Sequence, residues 1–192
     1  MKRLFIALEF IPDNDFRTFH SKACSVFTKL DKVNLVRPDL IHITLNFLGN
    51  TEDYKINPLI QGMQDAAKDV PPFILTIGKI GIFGSRDRPR VLWLGASNTK
   101  SLQQLHRQLQ KELIKIGFKP EHENFVPHLT LARIKKIDDR RFFWNKIELL
   151  KQDFVQQLHV DKIILFESIL RGHVPIYRKI TEVPLFMKEG VS

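Results

Sequence analysis

A single cysteine, Cys24, stands among the 192 residues. No intramolecular disulfide can form, and a reducing compartment is the expected setting. Long hydrophobic runs are missing as well. The apolar run Leu4–Leu8 is broken at Glu9. It is too short for the core of a leader peptide and far from the ~18 apolar residues of a membrane helix. A cytoplasmic chain with no membrane partner is therefore expected. His-x-x-x-His, Cys-x-x-Cys and clustered carboxylates are all absent, and so is a Gly-x-x-x-x-Gly-Lys loop. The expectation is no metal, no nucleotide-triphosphate site and no cofactor. No Gly/Ser-rich linker divides the chain. Acidic residues are outnumbered, 21 Asp+Glu against 30 Lys+Arg, for a net charge of +9. That excess favours an anionic partner such as nucleic acid.

What is present is a globular composition, 43% hydrophobic and 27% charged, which excludes disorder. The length fits one domain, or two small lobes sharing a core. Periodicity predicts strands over Leu4–Phe10, Ile41–Leu48 and Phe73–Ile80. Between them it predicts helices over Phe16–Leu30 and Pro58–Asp69. The order then restarts. Arg90–Leu94 and Pro127–Ile134 read as strands around a helix at Leu102–Ile116, closed by Gly117. A helix over Asp139–Lys151 and strands over Val160–Phe166 and Ile176–Val183 follow. An offset of 86 residues lays the first strand, the first helix and the third strand onto later elements of the same type. We expect an internal duplication: two lobes, roughly 1–85 and 86–183, in one 1–192 domain of α+β class.

One tetrapeptide repeats at that offset: His42-Ile43-Thr44-Leu45 and His128-Leu129-Thr130-Leu131. Side chains alternate across a strand, so His42 and Thr44 share one face, as do His128 and Thr130. The leucines and isoleucine take the other face and need the core. A lone tetrapeptide of this kind most often decorates a solvent-facing strand. Two copies at corresponding places of a repeat point to one cleft holding two imidazoles and two hydroxyls. Paired histidines can remove a proton from water and protonate a leaving oxygen. Threonine hydroxyls can donate to phosphoryl oxygens. The chemistry fits metal-free hydrolysis of a phosphodiester, and the spacing leaves open which histidine is the acid.

These motifs resemble those of the 2H phosphoesterase superfamily, and more narrowly of the RNA 2′,3′-cyclic phosphodiesterases, formerly called 2′-5′ RNA ligases. The likeness extends over Leu4–Leu8, Pro38–Gly49, Arg90–Gly95, Phe125–Arg133 and the tail Glu167-Ser168…Gly172…Tyr177. It implies a bilobal α+β fold of mixed or antiparallel sheet with outer helices and a central cleft. It implies opening of an RNA-terminal 2′,3′-cyclic phosphate to a 2′-phosphomonoester. It also implies His42 as proton donor, His128 as proton acceptor, and Thr44 and Thr130 on the phosphate. Leu35 stands where relatives often carry tryptophan, and Glu123 where they often carry arginine. The partner implied is an RNA with a cyclic phosphate end, bound by a monomer. Two other readings remain: 2′-5′ oligonucleotide phosphodiesterase or ligase activity of the same site, and an RNA-binding protein without turnover.

Other residues are less decided. Arg133 can bind phosphate, but strict alternation puts it opposite His128, reaching the cleft only if the strand twists or ends there. The loop Gly84–Arg90 is either a basic groove wall or a solvated hairpin. Phe47 and Tyr177 are expected in the core, and Cys24 as a buried small hydrophobe. His20 and His106, also 86 apart, are expected to be helix-packing or surface residues. His122, His159 and His173 lack the His-x-Thr context.

Overall fold

The computed structural model describes residues 1–97, 99–119, 125–150, 155–171 and 174–186. His122, Glu123, Gly172, His173 and the predicted helix end at Lys151 lie outside them. Strands β1 (Lys2–Glu9), β3 (His42–Thr51), β4 (Phe73–Gly84), β5 (Pro89–Ala96) and β6 (His128–Lys136) fall where periodicity placed them, each within a few residues. So do helices α2 (Ile56–Ala67), α3 (Lys100–Lys115) and α4 (Arg140–Leu150). Helix α1 (Asn14–Cys24) starts under an Asp13 carboxylate that accepts the Phe16 N–H at 2.7 Å.

Helix α1 stops at Cys24 rather than near Leu30. The Ser25 hydroxyl donates to the Lys22 carbonyl, and Asp31 accepts from the backbone N–H of both Thr28 and Asp138. These local bonds offer the backbone an alternative to the helix. Phe27 still reaches the core, stacked on Phe143 at 5.7 Å. Strand β2 (Lys32–Leu35) was not predicted; its four residues make a very short run, and it forms by pairing with β6. The predicted strand Val160–Phe166 is two strands, β7 (Val155–Val160) and β8 (Lys162–Arg171), parted at Asp161. β7 pairs with β4 and β8 pairs with β1. β9 (Val174–Pro184) completes the set against β8.

The curled sheet runs β7-β4-β5-β6-β3-β1-β8-β9, with β2 beside β6. Every strand pairing is antiparallel, so the mixed alternative is not used. Leu4, Ile6 and Leu8 of β1 pack with residues of all four helices, including Phe16, Met63, Leu109 and Phe143. The intervening Phe5 and Ala7 join Ile164 and Phe166 in a separate cluster, with Tyr177 against it. The helices thus cover one face, and the concave face keeps a small core of its own. Burying each such Leu, Ile or Phe contributes roughly 1.5–3 kcal/mol.

The strand order reads outward from the β3–β6 pair as β1, β8, β9 on one side and β5, β4, β7 on the other. The β3–β6 contact is an antiparallel bridge at Ile43↔Leu129, two residues 86 apart. The 86-residue offset also carries the β1–β3 register onto that of β5–β6. Ile6↔Asn46, Ala7↔Thr44 and Leu8↔Ile43 become Leu92↔Ala132, Trp93↔Thr130 and Leu94↔Leu129.

Candidate active site

The bridge at Ile43↔Leu129 brings the two His-Thr faces together on the concave side. Antiparallel direction runs His42 toward Thr130 and Thr44 toward His128. Ile43, Leu45, Leu129 and Leu131 are buried beneath, while both histidines and both threonines are half-buried on the open face. Up to this point the alternation is as expected from sequence.

It then breaks in both strands at the same place. Between Thr44 and Asn46, Leu45 has no partner of its own in β1. Between Thr130 and Ala132, Leu131 has none in β5. Each is a β-bulge, in which one extra residue shifts the phase of all that follows. Asn46 and Ala132 turn inward and are buried; Phe47 and Arg133 turn onto the histidine face. Arg133 therefore lines the cleft, against strict alternation and because of the bulge. Phe47 is 64% exposed and lines the same cleft, which corrects the expectation that it lies in the core. Tyr177 is also a cleft residue, half-buried against the concave cluster. Composition and period carry no sign of the bulge, so Phe47 was missed.

The cleft has a volume of about 710 Å³, and His42, Thr44, Thr130 and Arg133 line it. His128 stands beside it, near enough for its charge to act on His42. Both imidazoles are oriented alike. Nδ1 of His42 lies 2.9 Å from the Leu40 carbonyl, and Nδ1 of His128 lies 2.8 Å from the Val126 carbonyl. A carbonyl only accepts, so each Nδ1 carries the hydrogen and donates it. The exchanging nitrogen is Nε2 in both rings, assigned from the bonding pattern. Leu40 and Val126 are themselves 86 residues apart.

The surroundings differ. His42 packs on Phe5 at 4.8 Å and edge-on to Tyr177 at 5.2 Å. His128 meets Phe83 edge-on at 4.8 Å and Trp93 at 6.0 Å. Burial pushes the His42 pKa from 6.5 down to about 4, against the Leu40 bond; Arg133 and His128 lower it further. Burial also lowers that of His128, with Arg133 adding to it and the Val126 bond opposing. Burial raises the Tyr177 phenol, with Arg133 and Arg3 opposing.

Other sequence expectations resolve as follows. In the loop Gly84–Arg90, Arg86 lies over the Trp144 ring at 5.7 Å, and the Trp144 indole donates to the Arg86 carbonyl at 3.1 Å. That arginine is turned toward α4. His20 is buried in α1, as a packing residue, and Cys24 lies beside it, half-buried. His106 stacks on Phe125 at 4.0 Å, and His159 is exposed on β7. Among the described residues no three His, Cys, Asp or Glu come together as metal ligands. Among them, too, no helix is long and apolar enough to cross a membrane.

Comparison with known proteins agrees with this arrangement. The model of the 2′-5′ RNA ligase superfamily matches residues 31–169. The RNA 2′,3′-cyclic phosphodiesterase of Methanocaldococcus jannaschii is 32% identical over 94% of this chain and 99% of its own length. The protein of that name from Thermotoga maritima is 34% identical over 77% of this chain and 76% of its own. Among solved structures, TT0787 of Thermus thermophilus superposes with a TM-score of 0.77 at 22% identity, covering 95% of this chain and 97% of its own. E. coli LigT complexed with 3′-AMP gives 0.70 at 20%, covering 96% and 98%. These two show the fold. With the family model matching well over half its length, the chain belongs to the 2′-5′ RNA ligase superfamily.

Proposed function

We propose that the chain is an RNA 2′,3′-cyclic phosphodiesterase that opens a terminal cyclic phosphate to a 2′-phosphomonoester without a metal or cofactor. One observation carries this reading. One imidazole, two threonine hydroxyls and the Arg133 guanidinium line a single cleft, and the second imidazole, its Nδ1 likewise tied to a carbonyl, stands beside it. The curated relatives named above supply the substrate class.

In this reading His128 Nε2 takes a proton from water as its oxygen attacks phosphorus. The P–O3′ bond breaks, and His42 Nε2–H gives its proton to the departing O3′. The products are a 2′-phosphomonoester and a free 3′ hydroxyl. Thr44 and Thr130 donate to the non-bridging oxygens, and Arg133 pairs with their charge. The acid and base roles come from the family resemblance; burial leaves His42 neutral in the free protein. An imidazolium whose pKa is pushed to about 4 gives up its proton readily. The anionic phosphate, once bound, raises that pKa and loads His42 for the step.

The shared register, bulge and carbonyl bond support the reading of 1–85 and 86–183 as an internal duplication, two repeats along the chain that exchange β4 and β8 between the two sides of the sheet. All five site residues come from one chain, so a monomer suffices, and its RNA substrate fits a cytoplasmic setting. The experiment is incubation with an RNA ending in 2′,3′-cyclic phosphate, in excess EDTA, resolving the products. A 2′-phosphate is expected. A 3′-phosphate overturns the placement of the acid, loss of turnover in chelator restores a metal, and no product overturns the activity.

A further inference from the structure

His20 lies on α1, outside the cleft, and is only 8% exposed. Its Nε2 is 2.8 Å from the Val36 carbonyl. Since the carbonyl can only accept, Nε2 carries the hydrogen; the Cys24 sulfur lies beside the ring, 3.7 Å from Nδ1 and 3.8 Å from Nε2. Burial lifts the Cys24 pKa to about 11, so the thiol keeps its proton beside the ring. Burial also lowers the His20 pKa, which keeps the ring neutral. The Val36 carbonyl thus fixes the tautomer of His20.

Val36 is held from its other side too. Its N–H donates to the Leu131 carbonyl at 2.9 Å. Leu131 is the extra residue of the β6 bulge, the one that turns Arg133 into the cleft. Downstream of Val36 the chain is stiff. Pro38 starts a short 3-10 turn, Leu40 N–H bonds the Arg37 carbonyl at 2.9 Å, and Arg37 pairs with Asp39. At the end of this strut the Leu40 carbonyl receives Nδ1–H of His42.

We propose that His20 is a positioning residue for the reaction: through Val36 it sets the strut that fixes the His42 tautomer and anchors the bulge that displays Arg133. This inference rests on the reading of the site given above, though its structural half stands alone. Removing the His20 donor leaves the Val36 carbonyl short of its partner and frees the strut to shift. A misplacement of about 1 Å in such a site costs up to ~10²-fold in rate.

The test compares His20→Leu, which fills the space without a donor, with His20→Gln, which keeps one. Leu109→Val in α3 serves as a control of similar stability loss away from the cleft. The substrate is a dinucleotide ending in 2′,3′-cyclic phosphate, and nitrogen-15 NMR reads the His42 tautomer. We expect His20→Leu to lower kcat at least ~10-fold, with a smaller change in KM, and to reduce the Nδ1–H form of His42. His20→Gln restores most of both, and Leu109→Val changes neither. If His20→Leu keeps kcat and tautomer while only melting earlier, like Leu109→Val, the proposal is overturned. Failure of His20→Gln to rescue overturns it as well. Should His20→Leu not fold, His20→Asn, whose amide falls short of the carbonyl, replaces it under the same criteria. If the unaltered chain opens no cyclic phosphate, the functional reading fails, and the tautomer measurement still decides the strut.

Discussion

Around His42 the concave face is filled by Phe5, Phe166 and Tyr177, which pack as a small core of their own. Around His128 the corresponding surface has Phe83, Trp93 and two glycines, Gly81 and Gly95, paired across from and beside that tryptophan. The backbones are alike: same register, same bulge, same Nδ1 bond to the carbonyl two residues back. A repeated backbone thus delivers two similar imidazoles, and the packing around each makes them unlike. The same holds one step along. The bulge presents position 47 as phenylalanine and position 133 as arginine, so of the two equivalent positions the β6 one offers a charge to the phosphate.

The largest test of that contrast removes each imidazole. His42→Ala and His128→Ala should each lower turnover by ~10²–10⁴-fold, the usual worth of a positioned acid or base. The two losses become distinguishable with a phosphodiester bearing a nitrophenolate leaving group, which departs without a proton. Steady-state kinetics should show activity largely restored in His42→Ala and not in His128→Ala. The reverse pattern exchanges the two roles.

A second test is pH. Activity in the free protein needs His42 protonated, with a pKa of about 4, and His128 neutral, with a pKa below 6.5. The kcat/KM profile should therefore be bell-shaped with its maximum below pH 6.5. The kcat profile should sit at higher pH, because a bound anion raises the His42 value. A kcat/KM maximum above pH 7 would refute this. Stability moves with the same groups. Both folded-state values lie below the unfolded 6.5, so the stabilisation is present above pH 6.5. It is lost as pH falls through the folded values, down to about 4 for His42.

The two halves also show what was legible in sequence. Period-2 patterning placed β3 and β6, and the repeated His-x-Thr placed their open faces, because both depend on alternation along one strand. Helix α1 overran because the apolar spacing continues to Phe27 through a turn that polar side chains close. β2 and β7 were hidden because runs as short as Lys32–Leu35 give too little pattern to read, and their neighbours β6 and β4 complete them. Arg133 and Phe47 were misplaced for one reason. A bulge is a mismatch between two strands, and no single strand's sequence records it. The resemblance supplied Arg133's neighbourhood but not its orientation.

Arg133 gives a third, smaller effect. Its guanidinium lowers the pKa of both histidines. Charge-assisted bonds of this sort contribute about 1.5–3 kcal/mol, or roughly 10–10²-fold in affinity. Arg133→Met should weaken inorganic phosphate binding by that factor and raise both histidine pKa values, read by calorimetry and NMR titration. Phe47→Leu, at the equivalent place, should leave phosphate affinity unchanged. An equal loss in both would mean that the bulge partners are interchangeable after all.

The smallest effects come from two glycines, Gly81 of β4 beside the His128 surroundings and Gly49 of β3. A Cβ on Gly81 would run into the Trp93 ring, which lies 6.0 Å from that of His128. Gly81→Ala must move that ring, at a cost of about 1–3 kcal/mol, the range for overpacking a filled site. The shift reaches His128 and should lower kcat as well as the melting temperature. Gly49 has open space around its missing Cβ but a φ of +69°. Gly49→Ala therefore costs only the left-handed backbone term, about 1 kcal/mol, with no ring to displace. Its melting temperature should fall slightly and its kcat should hold. If thermal melts and kinetics show both variants losing kcat in proportion to stability, packing around Trp93 does not reach His128. The unlike settings of the two histidines would then have to arise from the His42 side alone.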